Sequence, residues 1–287
     1  MAGIEHVSDT ARWVAVYRAM ESERTDALFH DPYARRLAGP EGEALMDAVP
    51  GAKGTAWAMI VRTAVMDEII LRAVREGARR VVNLAAGLDT RPWRLELPAD
   101  LRWVDIDLPG MVEYKRRAMA GETPACELET VSLDLSEAAP RRALFERLDA
   151  ADRPTLVVSE GLLIYLEEDQ VSGLASDLHR ARSFGRWLID LASPKLLEWM
   201  TRRYGRGMDT GKVPFRFAPE QGPAFFAPLG WRVAEVRYTA EEASRLGREM
   251  RGAWLFRLFT RLFPSRAEEY RRMGSYVLLE RDDAARA

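Results

Sequence analysis

The amino-acid sequence predicts a doubly wound α/β fold built on a mostly parallel sheet of seven strands. Seven short apolar segments predict the strands, and segments with helical spacing lie between most of them. This alternation is typical of a parallel sheet that has helices on both faces. A chain of 287 residues is long enough for one such core with additions, so we expect a single domain over residues 1–287.

The first 78 residues predict a helical cap ahead of the first strand. Residues 9–22 have apolar side chains at helical spacing. A short helix is predicted to begin at Asp31-Pro32, because proline fits the first turn of a helix. A long helix over residues 54–76 is predicted to end at Gly77.

The strands and their connecting helices follow this cap. Strands are predicted at residues 80–84, 101–106, 128–133, 155–159, 187–191, 231–238 and 275–281, and helices near residues 111–119, 137–148 and 168–183. We expect residues 79–192 to form the ligand-binding half. Residues 193–287 should form the lid and substrate side, because glycines and prolines interrupt the periodicity between Ser193 and Pro228.

The stretch of residues 251–263 predicts a helix with a broad apolar face that Arg257 and Arg261 interrupt. We expect this helix to pack on the sheet edge or on a second copy of the chain, which leaves a homodimer open. A wall of the substrate pocket is the alternative, and a membrane-surface helix is disfavoured because no clear polar face opposes the apolar one.

Composition excludes several classes of partner. The 42 basic and 44 acidic residues nearly balance, so the net charge of −2 gives no case for nucleic acid. One cysteine and three scattered histidines make a metal site an unfavourable interpretation. Neither a signal peptide nor an apolar run of membrane-spanning length is visible, so we expect a cytoplasmic protein without a membrane span.

The most informative stretch of the chain is Val81–Asp107. It contains an apolar strand, a turn of small residues, a short amphipathic segment and a second apolar strand that ends in acids. This is the layout of a nucleotide-binding βαβ half, in which an acid about 20 residues after the turn binds a ribose. Because the turn holds only Gly87 of the three glycines that a diphosphate requires, we expect a nucleoside without phosphates. S-adenosylmethionine is the common ligand of that kind.

Ligands of doubly wound sheets bind at the carboxyl ends of the strands. There, Gly87 either lets a ligand approach the backbone or forms an ordinary turn. Asp107 either accepts hydrogen bonds from ribose hydroxyls or caps a helix ahead of Pro109. Asp134 and Leu135 either read the adenine amine and a ring nitrogen, or Asp134 caps the next helix.

Further charged residues lie near the same strand ends. Glu160 follows an apolar strand, where a carboxylate is costly unless a cation, such as a sulfonium or an α-ammonium, meets it. Arg62 interrupts the apolar stretch of the long helix and either meets a ligand carboxylate or extends to water. Asp89 contacts a ligand or caps a helix. Asp105, close to the like charge of Asp107, is expected to pair with an arginine.

Four segments in this order resemble one family: VVNLAAGLDTRPWRL, WVDIDLPGMVEYK, SLDLS and PTLVVSEGLLIYL. They are similar to S-adenosylmethionine-dependent methyltransferases of the leucine carboxyl methyltransferase superfamily, in particular its bacterial branch of polyketide-type O-methyltransferases. The segments TARWVAVYRAMES, HDPYARRLAG and MIVRTAVMDEII resemble that branch as well, so the resemblance covers roughly residues 8–190.

The resemblance implies a Rossmann-like methyltransferase sheet and S-adenosylmethionine as the cofactor. It also implies roles for six residues: Arg62 at the cofactor carboxylate, Gly87 at the methionyl backbone, Asp107 at the ribose, Asp134 and Leu135 at the adenine, and Glu160 at the amino-acid end. The chain departs from the family where Gly-Ala-Gly is replaced by Ala85-Ala86-Gly87, and where Ser136 replaces the arginine of Asp-Leu-Arg.

We therefore predict an O-methyltransferase that acts on a carboxylate or a phenolic or hydroxyl oxygen of a small, polyketide-like molecule. A carboxylate acceptor needs no general base, whereas an alcohol or a phenol needs one. His30 and His179 are weak candidates, since His179 lies among charged residues and is expected on a solvated face, so no catalytic residue is assigned. A protein C-terminal carboxyl methyltransferase and an NAD-dependent oxidoreductase are the alternatives.

Overall fold

Seven strands form one sheet, and helices cover both of its faces. The computed structural model describes residues 7–48, 51–204, 214–250, 252–253, 268 and 270–283. The strands are β1 (Arg80–Leu84), β2 (Arg102–Asp107), β3 (Glu127–Ser132), β4 (Thr155–Ser159), β5 (Phe184–Ala192), β6 (Trp231–Tyr238) and β7 (Gly274–Arg281). The helices are α1 (Val7–Ser22), α2 (Ala34–Ala48), α3 (Ala56–Arg75), α4 (Arg91–Arg94), α5 (Pro109–Ala118), α6 (Ala138–Asp149), α7 (Glu168–Arg180), α8 (Pro194–Tyr204) and α9 (Thr239–Arg245). Short 3₁₀ helices span Ala52–Thr55, Leu163–Tyr165 and Gly222–Leu229.

The strand order is β3-β2-β1-β4-β5-β7-β6. The pairings among β1 to β5 are parallel, whereas β7 is antiparallel to both β5 and β6. The α/β fold with seven strands is confirmed, but the sheet is mixed, so the expectation of a mostly parallel sheet is wrong on the β5–β7–β6 side. Apolar periodicity reports which face of a strand is buried and carries no information about strand direction.

The predicted bounds of β1, β4 and β6 agree with the structure, whereas β5 begins three residues early at Phe184. The segment 193–228 is more regular than predicted, because it begins with α8, whose first residue is proline, a residue suited to a first helical turn. No helix of the described residues is both long and apolar enough to cross a membrane. The predicted helix at 251–263 lies outside the described residues except for residues 252 and 253.

Alternating residues of the central strands enter two separate apolar cores. Val82, Val104 and Val157 pack with α6, α7 and Phe226 on one face. Val81 and Trp103 pack on the other face with the apolar side of α3. At the amino ends of the central strands, the buried guanidinium of Arg80 donates to the Thr155 hydroxyl (2.9 Å), the Leu148 carbonyl (2.6 Å) and the Ser183 hydroxyl (3.2 Å). Packed side chains cover both faces of the sheet, and the contacts of Arg80 occupy the amino ends of its central strands. The carboxyl ends of the strands are therefore the place for a ligand.

A third apolar cluster lies where α1 and α2 pack on the turn that follows β1, with Leu88 among its members. Arg18 of α1 donates to the carbonyl of Leu88 (2.6 Å) and to the carboxylate of Asp31 (2.8 Å). The same Asp31 oxygen accepts from the hydroxyl of Thr90 (2.6 Å). The N-terminal helices are therefore bonded to the turn that contains Gly87.

Candidate functional site

The carboxyl ends of the parallel strands bring the predicted site residues to one edge of the sheet. Gly87 follows β1, Asp107 ends β2 and Glu160 follows β4. Arg62 reaches this edge from α3, because α3 joins β1 through a short turn at its other end. Within this edge the structure joins Gly87 to Asp107 and Arg62 to Glu160, and these two pairs are the centre of the candidate site.

The first pair links the turn after β1 to the end of β2. The backbone N–H of Gly87 donates to Oδ2 of Asp107 (2.6 Å), and the N–H of Leu108 donates to Oδ1 (2.7 Å). A carboxylate offers about four lone-pair positions, so two remain for other donors within the described contacts. Burial raises the pKa of Asp107 and outweighs the lowering effect of these two N–H groups.

The turn itself has an unusual backbone. Gly87 has φ +50°, and Ala85, at the position where the family has glycine, has φ +51°. A side chain in this left-handed region costs about 1–2 kcal/mol, so Ala85 is strained. A Cβ atom on Gly87 would lie 3.4 Å from Cβ of Ala11 in α1, an ordinary contact. Glycine at position 87 is thus required by its backbone conformation rather than by lack of space.

The second pair is a buried ion pair. Nε of Arg62 donates to Oε1 of Glu160 (2.9 Å), and Nη1 of Arg91 lies 2.8 Å from Oε2 of the same carboxylate. Burial by itself raises the pKa of Glu160, but the attraction of Arg91 and of Arg62 is stronger and lowers that pKa below its usual value. Glu160 is therefore ionised at neutral pH, held between two guanidinium groups.

A network of ion pairs extends from Glu160 through Arg91 to the residues around α4. Arg91 also donates to Asp67 (2.6 Å) and to Asp89 (2.8 Å), and Arg94 donates to both oxygens of Asp67 (2.6 and 2.9 Å). One oxygen of Asp89 accepts the backbone N–H of Arg91 (2.9 Å). The contacts of Asp89 thus favour the capping interpretation, because its carboxylate holds the start of α4.

Asp105 lies on the same side of β2 as Asp107, but its partner differs from the prediction. Its carboxylate accepts from Nζ of Lys115 (2.7 Å), from Trp103 Nε1 (2.8 Å) and from Asn83 Nδ2 (3.2 Å). The predicted pairing with an arginine is wrong, because α5 runs past β2 and places Lys115 ten residues after the acid. Asp105 is 2% exposed and has a structural role.

Asp134 and Leu135 follow β3 at the outer end of the same edge. Asp134 is exposed, and its Oδ1 accepts the backbone N–H of Ser136 (2.8 Å) within the turn before α6. The N-cap residue of α6 is Glu137, so this contact is not the helix cap that the sequence offered as the alternative. The carbonyl of Leu135 accepts from Arg141 (2.6 Å), whose guanidinium is paired with the buried Asp177. The structure fixes the backbone of this turn and leaves one carboxylate oxygen of Asp134 without a described contact.

Sequence reasoning missed Asp190, which lies near the carboxyl end of β5. Its Oδ2 accepts from Nη1 of Arg62 (3.1 Å), and its Oδ1 accepts the backbone N–H of Gly161 (2.7 Å). A signal was present, because Asp190 is the one acid of β5 and lies among apolar residues near the carboxyl end of the strand. The hydroxyls of Tyr165 and Tyr276 both interact electrostatically with Arg62 and Asp190, and burial raises the pKa of each hydroxyl.

His179 lies in the apolar core and not among the charged residues of this edge. His179 is buried, and its ring meets the edge of Trp231 with centroids 5.8 Å apart. The prediction of a solvated face is wrong, because His179 follows Leu178 near the end of α7, where residues 230 and 231 cover it. His30 is exposed.

The donors and acceptors at the carboxyl edge fit the chemistry of S-adenosylmethionine. Asp107 offers acceptor positions for ribose hydroxyls, and Glu160 and Asp190 offer carboxylates for an ammonium group. Arg62 uses two of the five N–H groups of a guanidinium in its described contacts, and the other three suit a ligand carboxylate. These groups would therefore complement both ends of the cofactor.

The matching family model and two relatives of this chain are all described as methyltransferases. A family model described as leucine carboxyl methyltransferase matches residues 11–179. A Streptomyces coelicolor protein with the name "Putative S-adenosyl-L-methionine-dependent methyltransferase" is 34% identical over 255 residues, which cover 84% of this chain and 88% of that protein. A Mycolicibacterium smegmatis protein named in the same way is 31% identical over 268 residues, with 85% and 89% covered.

A solved structure has a similar fold at low sequence identity. The crystal structure of a DUF574 family protein from Streptomyces avermitilis has a TM-score of 0.58 and 14% identity, with 95% of this chain and 97% of that chain covered. At this identity the similarity shows the fold alone.

Proposed function

The chain belongs to the leucine carboxyl methyltransferase family, and from this premise we propose that it transfers a methyl group from S-adenosylmethionine to an oxygen atom of a small acidic molecule. The observation that carries the proposal is the contact between the N–H of Gly87 and the carboxylate of Asp107. It joins the turn after β1, where nucleotide-binding sheets approach their ligand, to the acid 20 residues later that in such sheets binds a ribose. In this proposal Arg62, Gly87, Asp107, Asp134, Leu135 and Glu160 bind the cofactor.

The acceptor side is supported by apolar groups close to this edge. Met59 lies one turn before Arg62 on α3, and Tyr165 packs against Phe215 with ring centroids 5.6 Å apart. The carbonyl of Ile164 accepts the backbone N–H of residue 216 (2.7 Å), which ties residues 214–217 to the loop after β4. We propose that α1, α2 and residues 214–229 cover the site and that the acceptor has an apolar, polyketide-like body.

The acceptor atom is proposed to be a carboxylate oxygen. A carboxylate is ionised at neutral pH and needs no base, whereas a phenol or an alcohol must lose a proton. Burial raises the pKa of both Tyr165 and Tyr276, so neither hydroxyl is suited to accept a proton near pH 7 in the role of a phenolate base. Phenolic acceptors remain the second choice.

The work of the protein is positioning and exclusion of water. The cofactor, when bound, supplies an electrophilic methyl group on a sulfonium. Holding the acceptor oxygen in line with that group contributes about 7–11 kcal/mol through proximity and orientation. Asp107 and Arg62 fix the two ends of the cofactor, and the apolar cover removes water from the nucleophile, which strengthens the electrostatic interactions that remain.

Calorimetry with S-adenosylmethionine and S-adenosylhomocysteine tests the proposal, followed by transfer of a labelled methyl group to a panel of aromatic acids, phenols and peptides with a free C-terminus. We expect binding of both compounds and label on the acids. Label on the peptides would instead identify a protein carboxyl methyltransferase. Absence of binding to both compounds would overturn the methyltransferase proposal, and binding of NADH in a fluorescence titration would support the oxidoreductase alternative.

A further inference from the structure

We propose that Asp190 is a positioning residue for the amino-acid end of the cofactor, acting through Arg62 and the turn at Gly161. The inference rests on the proposed function and deepens it, because it names the residue that sets the recognition of an α-amino acid group. Asp190 lies beyond residues 11–179 that match the family model.

The carboxylate of Asp190 links β5 to the turn after β4 and to α3. It belongs to β5, its Oδ1 accepts the N–H of Gly161 after β4 (2.7 Å), and its Oδ2 accepts from Arg62 of α3 (3.1 Å). Its neighbours Ile189 and Leu191 are buried, so the side chain of Asp190 lies on the other face of the strand at 22% exposure. A partly buried carboxylate costs free energy unless it is paired, so we infer that Asp190 is retained here for its contacts with Gly161 and Arg62.

Arg62 has two anchors, and together they fix the plane of its guanidinium. Glu160 holds Nε and Asp190 holds Nη1, so rotation about the last side-chain bonds would break one contact or the other. Gly161 has φ +64°, and a Cβ atom there would lie 3.3 Å from Arg62 Nη1. The guanidinium is therefore packed against the bare backbone of this turn, and its remaining N–H groups have a defined direction.

The charges explain why two anions surround one arginine. Glu160 also interacts with Arg91, so Glu160 alone provides only part of the charge that Arg62 requires. Asp190 supplies the second anion, and attraction to Glu160 and Asp190 outweighs the effect of burial and raises the pKa of Arg62. An amino-acid group carries one cation and one anion, and a guanidinium between two carboxylates complements both.

The test compares two ligands that differ only at this end. S-adenosylhomocysteine carries the amino-acid group, whereas 5′-methylthioadenosine has the same adenosine and sulfur without it. In Asp190→Asn the amide oxygen still accepts from Gly161, but the amide NH₂ faces the N–H donors of Arg62. We expect calorimetry to show at least about 10-fold weaker binding of S-adenosylhomocysteine. Binding of 5′-methylthioadenosine should stay within about twofold of the wild type.

A matched control is available elsewhere in the chain. Glu21 is also a buried carboxylate that accepts a backbone N–H, from Leu28 (2.8 Å), and an arginine, Arg248 (2.8 Å). Glu21→Gln should lower the melting temperature and leave the ratio of the two affinities unchanged. Gly161→Ala, whose added Cβ would lie 3.3 Å from Nη1 of the same guanidinium, should reproduce the selective loss if Asp190→Asn fails to fold.

The outcomes separate this inference from the proposed function. Equal weakening of both ligands, or no weakening of either, would overturn the role of Asp190 while the cofactor assignment stands. If the wild-type protein binds neither ligand, the proposed function itself fails.

Discussion

Replacing Asp107 with asparagine should weaken cofactor binding by a predictable amount. The carboxylate uses two lone-pair positions for the N–H groups of Gly87 and Leu108 and has two left for the ribose. Asparagine has a single oxygen, so the variant offers the ribose at least one charged acceptor fewer. Its NH₂ group also faces the N–H of either Gly87 or Leu108, to which it cannot bond. A hydrogen bond to a charged group contributes about 1.5–3 kcal/mol, which corresponds to roughly 10- to 150-fold in Kd.

The assay is calorimetric titration of S-adenosylhomocysteine into the wild type, Asp107→Asn and Asp100→Asn, where Asp100 is an exposed acid before the other end of β2. Asp100→Asn should bind as the wild type does. Because burial raises the pKa of Asp107, wild-type affinity should fall as the pH decreases toward that pKa, and Asp107→Asn should lack this dependence. An unchanged Kd in a folded Asp107→Asn protein would show that the ribose is held elsewhere.

Three further predictions concern stability and are measured by urea unfolding. Burial by itself raises the folded-state pKa of Asp89, but the combined attraction of Arg91, Lys115 and Arg94 lowers it below its usual value, so the carboxylate stabilises the fold above its unfolded pKa of about 3.9. Asp89→Asn should therefore be less stable than the wild type at pH 7, and this gap should narrow as the pH falls below about 4; a constant gap would contradict the assignment. Arg80→Ala should lower the free energy of unfolding by about 2–4 kcal/mol, since two buried acceptors and one partly buried acceptor lose their donor, and a loss under about 1 kcal/mol would refute this. Ala85→Gly should relieve the left-handed strain and leave stability equal or up to about 1 kcal/mol higher, whereas Ala86→Gly, at a position without positive φ, should lose about 1 kcal/mol. Equal losses in the two glycine variants would mean that Ala85 is not strained.

Much of the fold follows from local patterns in the chain. Strands such as β1 and β4 are short apolar runs bounded by turn residues, and their bounds were predicted correctly. The direction of β7 was not predictable, because it depends on where the last strand enters the sheet, and β7 enters between β5 and β6. The helix α8 was missed because the glycines and prolines that follow it dominated the pattern of that segment.

The candidate site was predictable where it depends on strand order and less so where it depends on tertiary contacts. Gly87 and Asp107 have a fixed spacing, and the structure joins them directly. The partner of Asp105 and the burial of His179 depend on which helix packs against each residue, which no local pattern reports. Asp190 carried a local signal as the one acid of β5, but its partners could not be predicted, because they require that β5 meets α3 and the turn after β4.

The position of β7 inside the sheet has a consequence for the order of assembly. Among the residues that the structure describes, β6 joins the rest of the sheet only through β7, although β7 comes later in the chain. A polypeptide shortened to end before Gly274 would lose an interior strand, and β6 would have no neighbour in the sheet. While the chain is being synthesised, β5 must therefore keep an open hydrogen-bonding edge until the last strand arrives, a stage at which intermolecular strand pairing competes with folding.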